Sequence, residues 1–202
     1  MRLILASGSP YRKSLLGRLG LPFETVVPRI DESPLPNERF EDTARRLSIE
    51  KARAVAQHHP AAIVIGSDQV AHCDGQRLDK PGTVEAAIAQ LKWQRGKTSL
   101  FHTALCVACN GGDTLQTDLI TTEVHFWDER VLTDATLEHY VALEKPLDCA
   151  GAAKSEGLGI SLMAAMRGDD PTALVGLPLI ALCRLLRDCG LDPLASKNSN
   201  AA

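Results

Sequence analysis

Leu3-Ile4-Leu5-Ala6-Ser7-Gly8-Ser9-Pro10-Tyr11-Arg12-Lys13 is the stretch on which the fold turns. The apolar run from Leu3 to Ala6 predicts a short buried strand. Ser9 followed by Pro10 reads as a helix N-cap with proline at the first helical position, where a missing N–H costs nothing. A strand, a tight turn and a helix to about Leu19 result. The first-turn amides and the helix dipole at such a turn attract anions; Ser7 and Ser9 add hydroxyls, and Arg12 and Lys13 add positive charge. Taken alone, the same residues also describe ordinary capping with two solvated cations.

Working outward, strands and helices alternate. Phe23 to Val27 reads as a strand, and a polar loop from Asp31 to Glu38 leads to a helix from about Phe40 to Gln57, ended by Pro60. Ala61 to Ile65 predicts an apolar strand ending at Gly66-Ser67-Asp68. After Asp74-Gly75 and Lys80-Pro81-Gly82 comes a helix near Val84 to Trp93. Ser99 to Ala108 and Gln116 to Trp127, flanking Asn110-Gly111-Gly112-Asp113, predict an antiparallel hairpin. Helices near Ala135 to Leu143 and Leu179 to Cys189 complete the pattern. The reading is α/β: a mixed twisted sheet with flanking helices, one domain over 1–194, and a small, polar, frayed tail over 195–202.

The 202 residues are 45% hydrophobic and 23% charged, enough apolar material for one substantial core. A formal net charge of −3 gives no global reason to expect nucleic acid polymers or anionic membranes as partners, so any anion site is local. The first apolar run is shorter than the ~7–15 residues of a secretion signal, and nothing later approaches the ~20 of a membrane helix. A cytoplasmic protein is expected. The six cysteines then read as reduced, mostly core residues, and Cys106-Val107-Ala108-Cys109 as strand alternation rather than half a zinc site.

Candidate chemistry gathers at few positions. Asp31-Glu32 follows a strand, and Asp68 lies just past an apolar one, in the crevice where open sheets place ligands. Carboxylates there suit Mg²⁺ or Mn²⁺, or orient a water. Lys51 shares a helix face with Ala44, Leu47 and Val55, so a cation points inward and needs a partner. Lys80, held by Lys80-Pro81-Gly82, is a second source of charge for phosphate. Singly, Lys51 also reads as a snorkelling lysine and Lys80 as a solvated one. Gly96-Lys97-Thr98 is no Walker A loop, because Leu91 stands where its first glycine belongs and a helix precedes it. His58-His59 is a polar helix end.

In order, Leu5 to Lys13, Ile30-Asp31-Glu32, Lys51-Ala52, Gly66-Ser67-Asp68-Gln69-Val70, Lys80-Pro81, Cys149-Ala150-Gly151, Glu156-Gly157 and Val175-Gly176-Leu177-Pro178-Leu179 resemble the motifs of the Maf family. The resemblance implies a mixed-sheet fold similar to inosine triphosphatase, with a deep cleft between two lobes. It also implies a homodimer and metal-dependent cleavage of a nucleoside triphosphate between its α and β phosphates; Glu32 and Asp68 are the carboxylates expected to hold that metal. Asp68 matches the family's proton acceptor; Glu32, Lys51 and Lys80 match further active-site positions. Ser7, Ser9, Arg12 and Lys13 fall on its phosphate-binding segment. Tyr11, Gln69 and Glu156 resemble the branch acting on 7-methylguanosine triphosphate, where the branch acting on thymidine and uridine triphosphates carries arginine, threonine and glutamine. Tyr11 stands where tryptophan is expected and Ala153 where an aromatic is expected. Physical chemistry agrees: N7 methylation makes guanine cationic, an aromatic face attracts that ring, and a carboxylate accepts from N1–H and the exocyclic amine. The alternatives are a pyrophosphatase for pyrimidine or other noncanonical triphosphates, or a noncatalytic nucleotide-binding regulator of septum formation.

Overall fold

The computed structural model describes residues 2–195. Its chain order is β1 (Arg2–Ala6), α1 (Pro10–Gly17), β2 (Glu24–Thr25), α2 (Phe40–Ala56), β3 (Ala62–Cys73), β4 (Gln76–Leu78), α3 (Val84–Gln94), β5 (Thr98–Cys109), β6 (Thr114–Phe126), α4 (Asp134–Glu144), β7 (Met163–Arg167) and α5 (Leu179–Asp188). The strands form one seven-stranded sheet in the order β2-β1-β3-β5-β6-β7, with β4 also paired to β3. β1 runs parallel to β2 and β3, and the other pairings are antiparallel, so the sheet is mixed as expected.

The opening turn forms as the sequence dictates. Ser9 caps α1 with its side chain accepting from the Arg12 amide, and Pro10 opens the helix. Asn110 to Gly112 closes the β5–β6 hairpin. Cys106 and Cys109 fall on opposite faces of β5, which is strand alternation and not a ligand pair.

Three expectations change. The predicted strand over Phe23 to Val27 shrinks to Glu24–Thr25, an edge segment ended by Pro28, which has no N–H for a ladder. The strand predicted to end at Ile65 continues through Gly66-Ser67-Asp68 to Cys73. Its polar residues pair with β5 along the whole run, Asp68 opposite Ala104, so Asp68 lies mid-strand rather than beyond a strand end. Short β4 and β7 have no counterpart in the sequence reading. The expected frayed tail, apart from Ala195, falls outside the described residues.

Helices cover both faces. α2 packs Ala52 and Val55 against Val64 and Cys106. On the opposite face Leu16 of α1 and Leu182 and Leu186 of α5 bury against Leu5, Ile65 and Leu105. Leu91 of α3 and Leu137 and Val141 of α4 close over Phe101 and Phe126. Each such aliphatic side chain contributes ~1.5–3 kcal/mol by leaving water. Among the described residues no helix is long and apolar enough to cross a membrane.

The register leaves a gap in the sheet. β1 pairs with β3 only as far as Gly66, and β4 begins on that same edge at Ala71. From Ser67 to Val70 one edge of β3 has no neighbouring strand, and the main cleft opens there.

Candidate active site

A cleft of about 690 Å³ lies over this gap, lined by the β1–α1 turn, the middle of β3, and segments around residues 27–32, 77–80, 148–156 and 174–176. Of the sequence-predicted residues it gathers Ser7, Ser9, Tyr11, Arg12, Glu32, Lys51, Asp68, Gln69, Lys80 and Glu156. Lys13 is the exception. It stands exposed on α1 and does not line the cleft, because a helical turn rotates it away from Arg12.

At the floor, Lys51 Nζ lies 2.6 Å from Asp68 Oδ1 and 2.8 Å from Glu32 Oε2. Lys51 is 5% exposed and Asp68 7%, so this ammonium has exchanged water for two carboxylates. The helix face that pointed Lys51 inward is the observed one, with Ala44, Leu47 and Val55 buried beside it. The approach is possible because position 66 is glycine. A Cβ there would collide with the Ser48 carbonyl oxygen and come within 2.7 Å of the Ala52 amide.

The β1–α1 turn forms one wall of the cleft. Ser7 Oγ accepts from the Ser9 amide at 3.1 Å, and Arg12 Nη1 lies 3.5 Å from it. Arg12 Nε donates to the Gly176 carbonyl at 2.8 Å. Burial pushes the Arg12 guanidinium below its ordinary pKa, while the Asp68 and Glu32 carboxylates pull the other way. Opposite, Lys80 is exposed, and Arg77 Nε donates to Asp79 Oδ1 at 2.7 Å.

A second group of residues faces the far end. Tyr11 donates to Asp148 Oδ1 at 3.2 Å, and burial raises its hydroxyl pKa. The neighbouring Cys149 thiol is pushed up to about 12, also by burial, so both groups stay protonated at neutral pH. Lys154 Nζ stands over the Tyr11 ring, 5.9 Å from its centroid, and is paired with Glu144 Oε2 at 3.3 Å, so a cation already faces this ring. The segment carrying Glu156 is pinned to α4: the Lys154 amide donates to the Tyr140 hydroxyl at 3.0 Å and the Leu158 amide to Glu144 Oε1 at 2.7 Å. Gln69 is more constrained than sequence implies. Its Nε2 donates to Thr103 Oγ1 and to the carbonyls of Ala173 and Leu174, at 2.9 to 3.1 Å, which orients the amide and leaves Oε1 as the atom a ligand can use.

Among the described residues no group of three or more His, Cys, Asp or Glu side chains is placed to hold a metal ion. The donor chemistry nevertheless fits a divalent cation. Glu32 and Asp68 each bring a hard oxygen to Lys51 Nζ, and phosphate and water would complete the shell of a cation held beside them. Sequence reasoning assigned no roles to Arg77, Asp79 or Asp148, which are ordinary surface polar residues until the loops fold over the cleft.

Fold and cleft together define an α/β protein whose site suits a phosphorylated small molecule. The family model for Maf-like protein matches residues 2–189. The chain belongs to the Maf family. It is 57% identical over 94% of its length to the 7-methyl-GTP pyrophosphatase of Aromatoleum aromaticum, covering 96% of that protein. It is 54% identical to the protein of that name from Cupriavidus pinatubonensis, covering 94% of each chain, and 53% identical to that of Bordetella avium, covering 96% of each. Among solved structures, the Ham1 protein of Staphylococcus aureus aligns at 14% identity with a TM-score of 0.46, over 63% of this chain and 73% of that one.

Proposed function

We propose that this chain hydrolyses 7-methylguanosine triphosphate between its α and β phosphates, releasing the monophosphate and pyrophosphate. The observation that carries the reading is the Glu32–Lys51–Asp68 cluster on the floor of a cleft whose wall is a helix N-terminus. The names of the relatives at 53 to 57% identity support the choice of substrate.

The α1 amides, Ser7, Ser9, Arg12 and Lys80 take the triphosphate oxygens. Lys51 bridges the two carboxylates and adds positive charge near the α phosphorus. Asp68 Oδ2, the oxygen not engaged by Lys51, accepts a proton from the attacking water. The water oxygen bonds to the α phosphorus, the bond to the bridging oxygen breaks, and pyrophosphate leaves. Glu32 and Asp68 would hold a divalent cation such as Mg²⁺ or Mn²⁺, which would supply charge neutralisation on the phosphate oxygens. Tyr11 stacks on the cationic base, Glu156 accepts from N1–H and the exocyclic amine, and Gln69 Oε1 adds an acceptor. The reading includes a homodimer in the cytoplasm.

A panel of triphosphates, scored by pyrophosphate release with Mg²⁺ or Mn²⁺, tests this with three proteins. Wild type prefers the methylated guanine substrate. Asp68→Asn loses roughly 10²–10⁴-fold in kcat/KM while staying folded. Glu156→Gln loses roughly 10–100-fold on that substrate and little on pyrimidines. Wild-type turnover by Asp68→Asn removes Asp68 from the chemistry, and a nucleotide that stays bound and intact makes the protein a regulator.

A further inference from the structure

The cleft wall at residues 174–176 meets Arg12 and Gln69 through backbone carbonyls, and something must hold it. Asp170, 2% exposed, sits behind it. Asp170 Oδ1 accepts from the Thr172 amide at 2.9 Å, and the Thr172 hydroxyl lies 2.6 Å away. Asp170 Oδ2 accepts from the amides of Ile180 and Ala181, at 2.6 and 3.4 Å. These are first-turn amides of α5, whose own N-cap position is Pro178 and has no side-chain cap. Thr172 Oγ1 closes the ring, accepting from the Leu179 amide at 2.8 Å and lying 2.9 Å from the Leu177 carbonyl. Asp170 and Thr172 thus bind residues 170–178 onto the start of α5.

The other side of the same loop faces the cleft. The Gly176 carbonyl takes Arg12 Nε at 2.8 Å and Ser67 Oγ at 2.9 Å. The Ala173 carbonyl takes Thr103 Oγ1 at 2.9 Å and, with the Leu174 carbonyl, Gln69 Nε2. Gly176 has φ +109°, a conformation side-chain-bearing residues rarely adopt, and a Cβ there would come within 3.4 Å of Arg12 Nε. One loop thereby orients both the arginine at the phosphate wall and the amide at the base end.

We propose that Asp170, acting with Thr172, is a positioning residue that sets the placement of Arg12 and Gln69 through the 173–176 carbonyls. The proposal rests on the pyrophosphatase reading for its link to turnover, and on geometry alone for its link to anion binding.

The test compares wild type with Asp170→Asn, Thr172→Val and Thr172→Ser. Thr172→Val keeps volume and removes the hydroxyl; Thr172→Ser keeps the hydroxyl. Binding of inorganic tripolyphosphate is measured by calorimetry, and KM and kcat are measured on 7-methylguanosine triphosphate and on GTP, all on protein verified as folded by circular dichroism. The expected result is tripolyphosphate affinity about tenfold weaker in Asp170→Asn and Thr172→Val, KM raised more than kcat is lowered, a narrower preference between the nucleotides, and recovery in Thr172→Ser. If Asp170→Asn does not fold, Thr172→Val decides. Variants that melt earlier but bind tripolyphosphate and discriminate nucleotides as wild type does overturn the proposal, leaving a helix cap. Wild type that binds tripolyphosphate but hydrolyses no nucleotide overturns the activity and leaves the positioning role standing. Wild type that does not bind tripolyphosphate overturns both.

Discussion

Glu32 reaches Lys51 from an exposed loop, and the Arg46–Glu38 pair ties that loop to α2. Arg46 Nε lies 2.7 Å from Glu38 Oε1, and Arg46 Nη2 donates to the Ser33 carbonyl at 3.0 Å. Glu38 also accepts from the Leu35 amide at 3.1 Å and the Thr43 hydroxyl at 2.9 Å. Only 10% of the Glu38 side chain and 20% of that of Arg46 are exposed, which limits solvent screening. Arg46 above all, with these donors, holds the Glu38 carboxyl down at about 2. A carboxylate with a depressed folded pKa contributes stability that is complete above its unfolded value, near ~4.3, and fades as pH falls toward the folded one. Glu38→Gln therefore melts roughly 2–4 °C below wild type at pH 7, and the gap closes as pH falls from about 4 to about 2. Thermal melts across that range check it; a gap that persists at the acid end rules the pair out. Lys51 was legible from helix periodicity, but Glu38 and Arg46, eight positions apart, carried no signal that they would meet.

At the scale of elements, the join between α2 and β3 matters most, because it brings Lys51 to Asp68. Gly66 permits it, and its role follows from a close approach rather than from a turn. A methyl group there must push α2 outward against the Ser48 carbonyl, at a cost of roughly 1–3 kcal/mol. Gly66→Ala is expected to melt earlier and, measured on folded protein, to lose activity as well, since Lys51 moves off Asp68. Normal melting and normal turnover in Gly66→Ala sink this account. The sequence reading ended β3 at this glycine because Gly66-Ser67-Asp68-Gln69 has the composition of a turn. The ladder with β5 overrides that composition, and the Ser67 hydroxyl finds the carbonyls of Ala104 and Gly176 at 2.9 Å each. β7, a short edge strand of small and long residues, owes its conformation to β6 and is mute in isolation.

Across the whole molecule, folding carries a second pH dependence where β3 and β5 pack against the start of α2. His72 of β3 and His102 of β5 place their Nε2 atoms 3.2 Å apart, and Phe40 stacks on His72 with ring centroids 4.3 Å apart. Burial lowers both imidazole pKa values; Glu41 opposes this for both, and Arg39 and the partner imidazole reinforce it for His102. A lowered histidine pKa gives stability that is complete above the unfolded value, ~6.5, and drains away as pH falls below it. Wild type is expected to lose thermal stability between pH 7 and 5, and a His72→Leu, His102→Leu double variant to lose less. Equal slopes contradict the assignment. The amino-acid sequence by itself determined the alternation of strands and helices, the capped turn at Ser9-Pro10, the inward face of Lys51 and the family, because periodicity, capping and ordered motifs are local or linear. Tertiary structure alone decided that β1 stops and β4 starts so as to leave one edge of β3 open from Ser67 to Val70, and that the 173–176 carbonyls hold Arg12 and Gln69. These depend on register between distant strands and on backbone groups that every residue carries alike, and the order of side chains does not encode them locally.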